Sequence, residues 1–388
     1  MGYRKFKADR LFDGYRFREG EVLVTDDGGR VADLVPAGDA GDNIEQYNGI
    51  LSPGFINCHC HLELSHMKGL IPEGTGLVPF VGQVMAGRSK PEDEILAAID
   101  AAENEMYDNG IVAVGDICNT AYTIDCKKGQ RLRYYNFIEV SGFDPALAEM
   151  RFETAKELSA RFEFAANGQQ PMPWSIVPHS PYSVSGPLWE KIIHNAGSKL
   201  LSIHNQEDPA ENEFFEKKEG AFMGLYEKMK LDIHFFSASG KSSLRTYLTR
   251  LPASQPLILV HNVFTSAEDL LYVEQLTASP SIYWCLCPRA NRYISTVLPD
   301  VPLLMQQGRR IVFGTDSLAS NHRLDIVSEI SLVREFYPAI ADSDLLTWAT
   351  SNGAAALQLQ DEFGSFEKGK KPGVVLVDEH FTGANRLL

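Results

Sequence analysis

The chain has 388 residues, more than one average domain and enough for an eight-stranded α/β barrel of roughly 250 residues with a smaller domain attached. Hydrophobic residues make up 44% and charged residues 22%, an ordinary globular balance with material for a large core. The formal net charge of −15 repels phosphate backbones, and the only basic runs are short ones such as Lys368, Lys370 and Lys371, which read as a solvated loop, so no nucleic-acid partner is expected.

The N-terminus, MGYRKFKADRLFDGYRF, alternates charged and aromatic residues and lacks the continuous apolar stretch of a signal peptide. Met1-Gly2 does not argue for myristoylation, because position six is Phe6. No apolar run is long enough to cross a bilayer, so no membrane partner is expected. Glu21 to Thr25 alternates as a strand, Asp26-Asp27-Gly28-Gly29-Arg30 is a turn signal, and Val31 to Val35 resumes an extended pattern. Near the other end, Gly364 to Gly369 precedes a further strand, Val374 to Asp378. Residues 1–50 and 365–388 are therefore expected to pair into one small β domain beside a barrel of residues 51–364, since chain termini often lie close together.

The middle alternates apolar strands with amphipathic helices, the pattern of βα units around a parallel sheet. Candidate strands are Ile50 to Ile56, Ile111 to Gly115, Arg133 to Ile138, Trp174 to Pro178, Leu200 to His204, Leu257 to His261, Ser281 to Cys285 and Arg310 to Gly314. Helices are expected over Glu92 to Asn109 and over Pro145 to Ala165, the second started by Asp144 as N-cap and Pro145 at the first helical position. Eight strands favour a (β/α)₈ TIM-like barrel, in the α/β class, over a doubly wound sheet. The six cysteines, Cys58, Cys60, Cys118, Cys126, Cys285 and Cys287, do not form a disulfide framework in a chain of this size, and a reducing cytoplasm is the simplest location.

In such a barrel the reacting groups sit at the carboxyl ends of strands. The first barrel strand runs into His59-Cys60-His61, whose two histidines share one face and can bind one ion together. An isolated HxH is weak, and coincidental strand-end histidines would look the same. However, the apolar runs before His204, His261 and Asp316 also end in a polar side chain. Burial there is costly unless the group is paired or metal-bound. Four such placements in one barrel favour the metal reading.

The ordered set PGFINCHCHLE, PHSPYSVS, SIHNQE, LVHNVF, CPRAN and FGTDSLASN resembles the amidohydrolase superfamily, and within it the deaminase and chlorohydrolase branch. That branch includes S-adenosylhomocysteine, aminodeoxyfutalosine, guanine and cytosine deaminases, and PHSPY and GTDSLASN are most similar to the adenine-nucleoside deaminases. The resemblance runs from about Leu51 to Asp378. It implies that His59, His61, His204 and Asp316 ligate a metal, that His261 sits beside the reacting water, that Glu207 shuttles protons and that His179 faces the substrate. Binuclear members carry a carboxylated lysine on the fourth strand; here that strand ends Val177-Pro178-His179, which implies one divalent ion, Zn²⁺ first and Fe²⁺ as the alternative. Two departures are Cys60, where relatives often have Thr, and KGKKPGVVLVDE, where they have Ala-Asp before the strand.

The reaction implied is hydrolytic deamination of an amino-substituted heteroaromatic small molecule. Asp316 would take the water's proton, His261 would hold the nucleophile and Glu207 would protonate the ring nitrogen. For Glu207 the alternative is a solvated loop carboxylate among Asp208, Glu211, Glu213 and Glu216. Arg289 and Asn291 are candidate substrate contacts; Arg289 suits a carboxylate tail and equally a structural ion pair. Glu63 and Ser65 either shape the pocket or support it, and Ser317, Ser320 and Asn321 brace the loop after Asp316. Chlorohydrolysis, cyclic-amide hydrolysis and a non-catalytic ligand-binding barrel are the competing readings. A homodimer is an expectation from the resemblance alone.

Overall fold

The computed structural model describes residues 2–165, 172–252, 254–276, 282–308 and 310–388. Strands β1 (Tyr3–Phe12), β2 (Phe17–Arg18), β3 (Glu21–Asp26), β4 (Val31–Pro36) and β5 (Glu45–Ser52) open the chain. The expected turn joins β3 to β4. Asp26 Oδ1 accepts from the N–H groups of Gly28 and Arg30, both at 2.9 Å, and Gly29 takes the positive φ of 83° that the reversal requires.

The barrel strands are β6 (Phe55–Cys60), β7 (Ile111–Cys118), β8 (Arg133–Val140), β9 (Trp174–Pro178), β10 (Leu201–Asn205), β11 (Leu257–His261), β12 (Ile282–Leu286) and β13 (Arg310–Phe313). All eight expected strands are present, with shifted limits; the expected start of the seventh, Ser281, lies outside the described residues. One expectation is corrected. The run Ile50 to Ile56 is two strands in two sheets. Ile50, Leu51 and Ser52 pair with the C-terminal strand β14 (Val375–Val377), whereas Phe55 onward pairs with β7. Pro53-Gly54 makes the corner. Proline carries no ladder donor, and a side chain at Gly54 would meet Val112 Cγ1 at 2.2 Å and Pro372 O at 2.7 Å.

Strands β14 and β15 (Ala384–Arg386) complete a sheet in the order β15-β14-β5-β1-β3-β4, with β2 on β1, so the two ends of the chain do share one sheet. Its buried face is built on Phe6, Leu11, Leu23, Leu51, Phe366 and Val374.

The barrel consists of two parallel arcs, β6-β7-β8-β9 and β10-β11-β12-β13. At the carboxyl end the arcs are joined by the backbone of the candidate site. His204 N–H donates to His179 O at 3.0 Å, and the N–H groups of Thr315 and Asp316 donate to His59 O at 3.0 and 3.1 Å. The helix over Glu92–Asp108 buries Ile95, Ile99, Ala102 and Met106, one stripe at helical spacing. The helix expected from Pro145 begins as a 3₁₀ turn over Pro145–Leu147 and continues as α-helix over Ala148–Ala165, with the Asp144 side chain accepting from Ala146 N–H at 2.9 Å. A second apolar cluster, including Phe80, Phe143, Phe214, Phe222 and Tyr226, gathers segments that follow the barrel strands. No described helix is long and apolar enough to cross a membrane.

Candidate metal centre and active site

Four strand ends converge on one point. His59 lies in β6 and His61 just past it, His204 is in β10, and Asp316 follows β13. All four are at least nine-tenths buried. The Nε2 atoms of His59 and His61 are 3.2 Å apart, and those of His61 and His204 are 3.3 Å apart. Asp316 Oδ1 lies 3.6 Å from His59 Nε2 and 3.5 Å from His61 Nε2.

Two imidazole nitrogens this close share at most one proton, so the cluster turns lone pairs toward lone pairs in a buried place. A tetrahedral sphere with bonds of about 2.0–2.1 Å has ligand–ligand edges of roughly 3.3 Å. The four side chains therefore fit a divalent cation. Their outer contacts fix the inward atoms. His204 Nδ1 donates to His179 O at 2.8 Å, leaving the Nε2 lone pair facing the centre, and Ser320 Oγ donates to Asp316 Oδ2 at 2.5 Å. Asp316 adopts a positive φ of 56°, and its neighbour Thr315 is pinned by Asn57, with bonds of 2.7 and 3.1 Å, and by Asn321 at 2.9 Å.

Burial pushes His204 well below the usual histidine range, and it lowers His59 as well. Both rings are then neutral, the form a metal requires. Burial would raise Asp316, but His59, His61 and His261 outweigh it and hold the carboxylate ionised.

His261 and Glu207 stand beside this cluster. Burial brings His261 down to about 3, so its ring is neutral. Its Nδ1 lies 3.0 Å from Asn291 Nδ2, and its Nε2 lies 3.5 Å from Glu207 Oε2. Glu207 is 5% exposed, so the solvated-loop alternative is set aside. Burial first, then the charges of Asp316, Glu211 and Asp208, push its carboxyl well above the usual range, which favours its protonated form. Gln206, just before it, has a positive φ of 48°, which turns the chain out of β10.

The expected substrate contacts are placed differently from one another. His179 has 26% of its side chain exposed, and its Nδ1 is held by Glu139 Oε2 at 2.6 Å. Burial would raise Glu139, but the contact with His179 brings it down to about 2. Asn291 braces His261. Arg289 is half-buried, and its backbone N–H donates to Glu329 Oε2 at 2.9 Å. Glu63 is tied into the framework: Oε2 accepts from Asn119 N–H, Thr120 N–H and Thr120 Oγ1 at 3.1, 2.9 and 2.7 Å. That engagement favours support of the neighbouring loop over direct contact with a substrate.

Sequence reasoning passed over Glu139, Asp116 and Lys127. Asp116 and Glu139 carried the signal used for Asp316, an acid closing an apolar strand. Asp116 Oδ1 accepts from Leu62 N–H at 2.9 Å, immediately after His61, and its Oδ2 meets Lys127 Nζ at 2.6 Å. Lys127 also donates to Asn136 Oδ1 at 2.7 Å, and the Lys127 and Asp116 side chains are fully buried. Nothing in the local pattern marks Lys127, because a buried lysine is readable only once its acid is in place.

A buried three-histidine, one-aspartate cluster at the carboxyl ends of eight parallel strands defines a hydrolase-type metal barrel. The amidohydrolase family profile matches residues 50–386, and the chain belongs to that family. Among characterised proteins it is similar to an adenosine deaminase of Helicobacter pylori, 27% identical over 88% of this chain and 82% of that one. It is also similar to a 5-methylthioadenosine/S-adenosylhomocysteine deaminase of Teredinibacter turnerae, 27% identical over 93% and 80% of the two chains. An aminodeoxyfutalosine deaminase of Nitratiruptor is 25% identical over 85% and 79%. Among solved structures, Helicobacter pylori aminofutalosine deaminase with methylthio-coformycin superimposes with a TM-score of 0.80 at 23% identity, covering 97% of this chain and 92% of that one. A zinc-bound adenosine deaminase of Xanthomonas campestris gives a TM-score of 0.76 at 18% identity, covering 98% and 89%. The structural likenesses bear on the fold.

Proposed function

We propose that this protein is a hydrolytic deaminase of an amino-substituted heteroaromatic ring, an adenine nucleoside derivative, with one divalent ion held by His59, His61, His204 and Asp316. The observation that carries the reading is the buried Glu207 carboxyl, 3.5 Å from His261 at the edge of the four-residue cluster. The deaminase names of the relatives support the substrate class. Zinc is the preferred ion, with iron as the alternative for the same ligand set.

When bound, the ion supplies Lewis-acid activation of water, whose pKa falls from 15.7 toward about 7. Asp316, held ionised, accepts the water's proton. His261, neutral and braced by Asn291, orients the oxygen. Glu207 donates its proton to the ring nitrogen next to the attacked carbon, which offsets the loss of aromaticity. The new carbon–oxygen bond forms, the carbon–nitrogen bond to the amino group breaks, and ammonia leaves with a proton returned through the same carboxyls. Positioned acid–base groups of this kind contribute roughly 10²–10⁴-fold. His179 faces the substrate from the open side of the cluster. Arg289 and Asn291 are the further candidate substrate contacts, and Glu63 supports the neighbouring loop.

We further assign residues 51–364 to the catalytic barrel and residues 1–50 with 365–388 to the small β domain. A reducing cytoplasm suits the six free cysteines. The decisive experiment is an ammonia-release screen with adenosine, S-adenosylhomocysteine, aminodeoxyfutalosine, guanine, cytosine and a chlorotriazine. Release from an adenine nucleoside above the others supports the reading; chloride release from the triazine with no ammonia from any purine overturns it.

A further inference from the structure

Two of the lysines that read as a solvated loop in the sequence, Lys370 and Lys371, line a cavity. It has a volume of about 630 Å³ and lies between the small sheet and the amino-terminal ends of β7 and β8, away from the ligand cluster. Seven of its lining residues are Lys or Arg and three are Asp or Glu, in a chain that carries 36 basic and 51 acidic residues. Lys127, at its inner wall, is neutralised by Asp116. Arg133 is 3.8 Å from Glu362, and Lys370 pairs with Glu367.

The other cations are not compensated in this way. Arg386 and Arg131 both stack on Tyr107, their guanidinium carbons 3.9 and 4.4 Å from the ring centroid. Arg386 donates to the main-chain oxygens of Tyr107 at 2.9 Å and Ile111 at 2.5 Å, and at 3.3 Å to an oxygen of Leu388, the last residue of the chain. Arg131 donates to the side-chain amide oxygen of Asn104. Among the described residues, Arg386, Arg131 and Lys371 have no Asp or Glu ion-pair partner. Burial lowers the basicity of Arg386 from the usual guanidine value; Tyr107 and Asp108 oppose that, and the charge of Arg131 adds to it. Two cations held over one ring, one of them largely withdrawn from water, repel each other unless an anion joins them.

We infer that this cavity binds a phosphate group, free or carried by a small metabolite, with Arg131, Lys371 and Arg386 as its principal contacts. A concave wall of guanidinium and ammonium groups suits a compact oxyanion, since guanidinium binds phosphate in a fork and ammonium binds it as a point charge. Its separation from the His and Asp cluster makes it distinct from the catalytic centre, and the inference does not depend on the reaction proposed there.

The test is calorimetric titration of the full chain, metal-loaded where both histidines are kept, with inorganic phosphate and with uridine monophosphate, which lacks the adenine ring. Wild type, an Arg131→Glu, Lys371→Glu double variant and a His59→Ala, His61→Ala double variant are compared. One site per chain is expected, retained in the histidine variant and weakened at least tenfold by charge reversal. Tighter binding of the nucleotide than of phosphate would identify a phosphorylated metabolite as occupant; equal binding would identify the free ion. Lys371→Gln, a neutral change at an exposed side chain, is the milder control and should weaken binding at least threefold. No binding, binding lost with the histidines, or binding indifferent to charge reversal and to Lys371→Gln would each overturn the inference.

Discussion

Glu207 and Asp316 are two carboxyls at one buried centre whose surroundings push them in opposite directions. Burial would raise Asp316, but the three imidazoles it faces bring it down; burial and the neighbouring acids push Glu207 up. Environments that push two carboxyls apart in this way assign base and acid. Glu207→Gln is therefore expected to keep its metal and lose roughly 10²-fold or more in kcat, measured by ammonia release at matched metal content. The sign of the pH effect follows. The acid works while protonated, so kcat/KM falls as pH rises through the raised Glu207 value, and that alkaline limb disappears in the Gln variant. Lys127→Met tests the buried pair behind His61. It leaves Asp116 buried without its ion-pair partner, at a cost of about 3–5 kcal/mol by chemical denaturation. It also loosens the Leu62 amide that follows the ligand, so zinc affinity should drop about 10–100-fold in a competitive chelator titration. At this scale the histidines and Asp316 were legible because each ends an apolar run. Lys127 was not, because its partner Asp116 lies on the preceding strand, β7, and the role of Glu63 was not, because the groups that donate to it belong to Asn119 and Thr120 of a loop that sequence cannot place.

Among the elements, the strand ends bring the candidate site together and the residues beside them set its geometry. Gly314 shows how little room there is. A Cβ there would lie 2.7 Å from His59 Cβ, 2.9 Å from Cys285 Sγ and 3.0 Å from Cys287 Sγ. Gly314→Ala is expected to cost about 1–3 kcal/mol of stability, as overpacking does, and to displace His59 enough to lower metal occupancy, read by elemental analysis. The strands themselves were legible from apolar runs of the right length, and the helix over Glu92–Asp108 from its spacing. The junction at Pro53-Gly54 was not. Ile50 to Ile56 is one apolar run, and only the pairing of Ile50 with Val377 and of Phe55 with Ile111 reveals two sheets. Apolar content indicates burial, but not against which neighbour.

At the scale of the whole molecule, the small sheet couples both chain ends to the barrel. β5 passes through Pro53-Gly54 directly into β6, the strand that carries His59. Its pairing with β14 was expected from the proximity of termini, and its register could be read only from the folded chain. Stability should also respond to pH through Glu329, a fully buried carboxyl that accepts from Arg289 N–H and Asn321 and that burial raises to about 8. A carboxyl raised on folding binds its proton more tightly in the folded state, so stability is lost as pH rises from its ordinary value toward 8. Glu329→Gln should flatten this dependence, which thermal melts between the two limits would record. The account as a whole rests on a metal-dependent centre completed by one carboxylic acid. Its most direct test is steady-state ammonia release from an adenine nucleoside by wild type and by Glu207→Gln, each loaded with one equivalent of zinc. The account predicts turnover by wild type and a loss of roughly 10²-fold or more in the variant; equal rates, or no ammonia from zinc-loaded wild type on any adenine nucleoside, would contradict it.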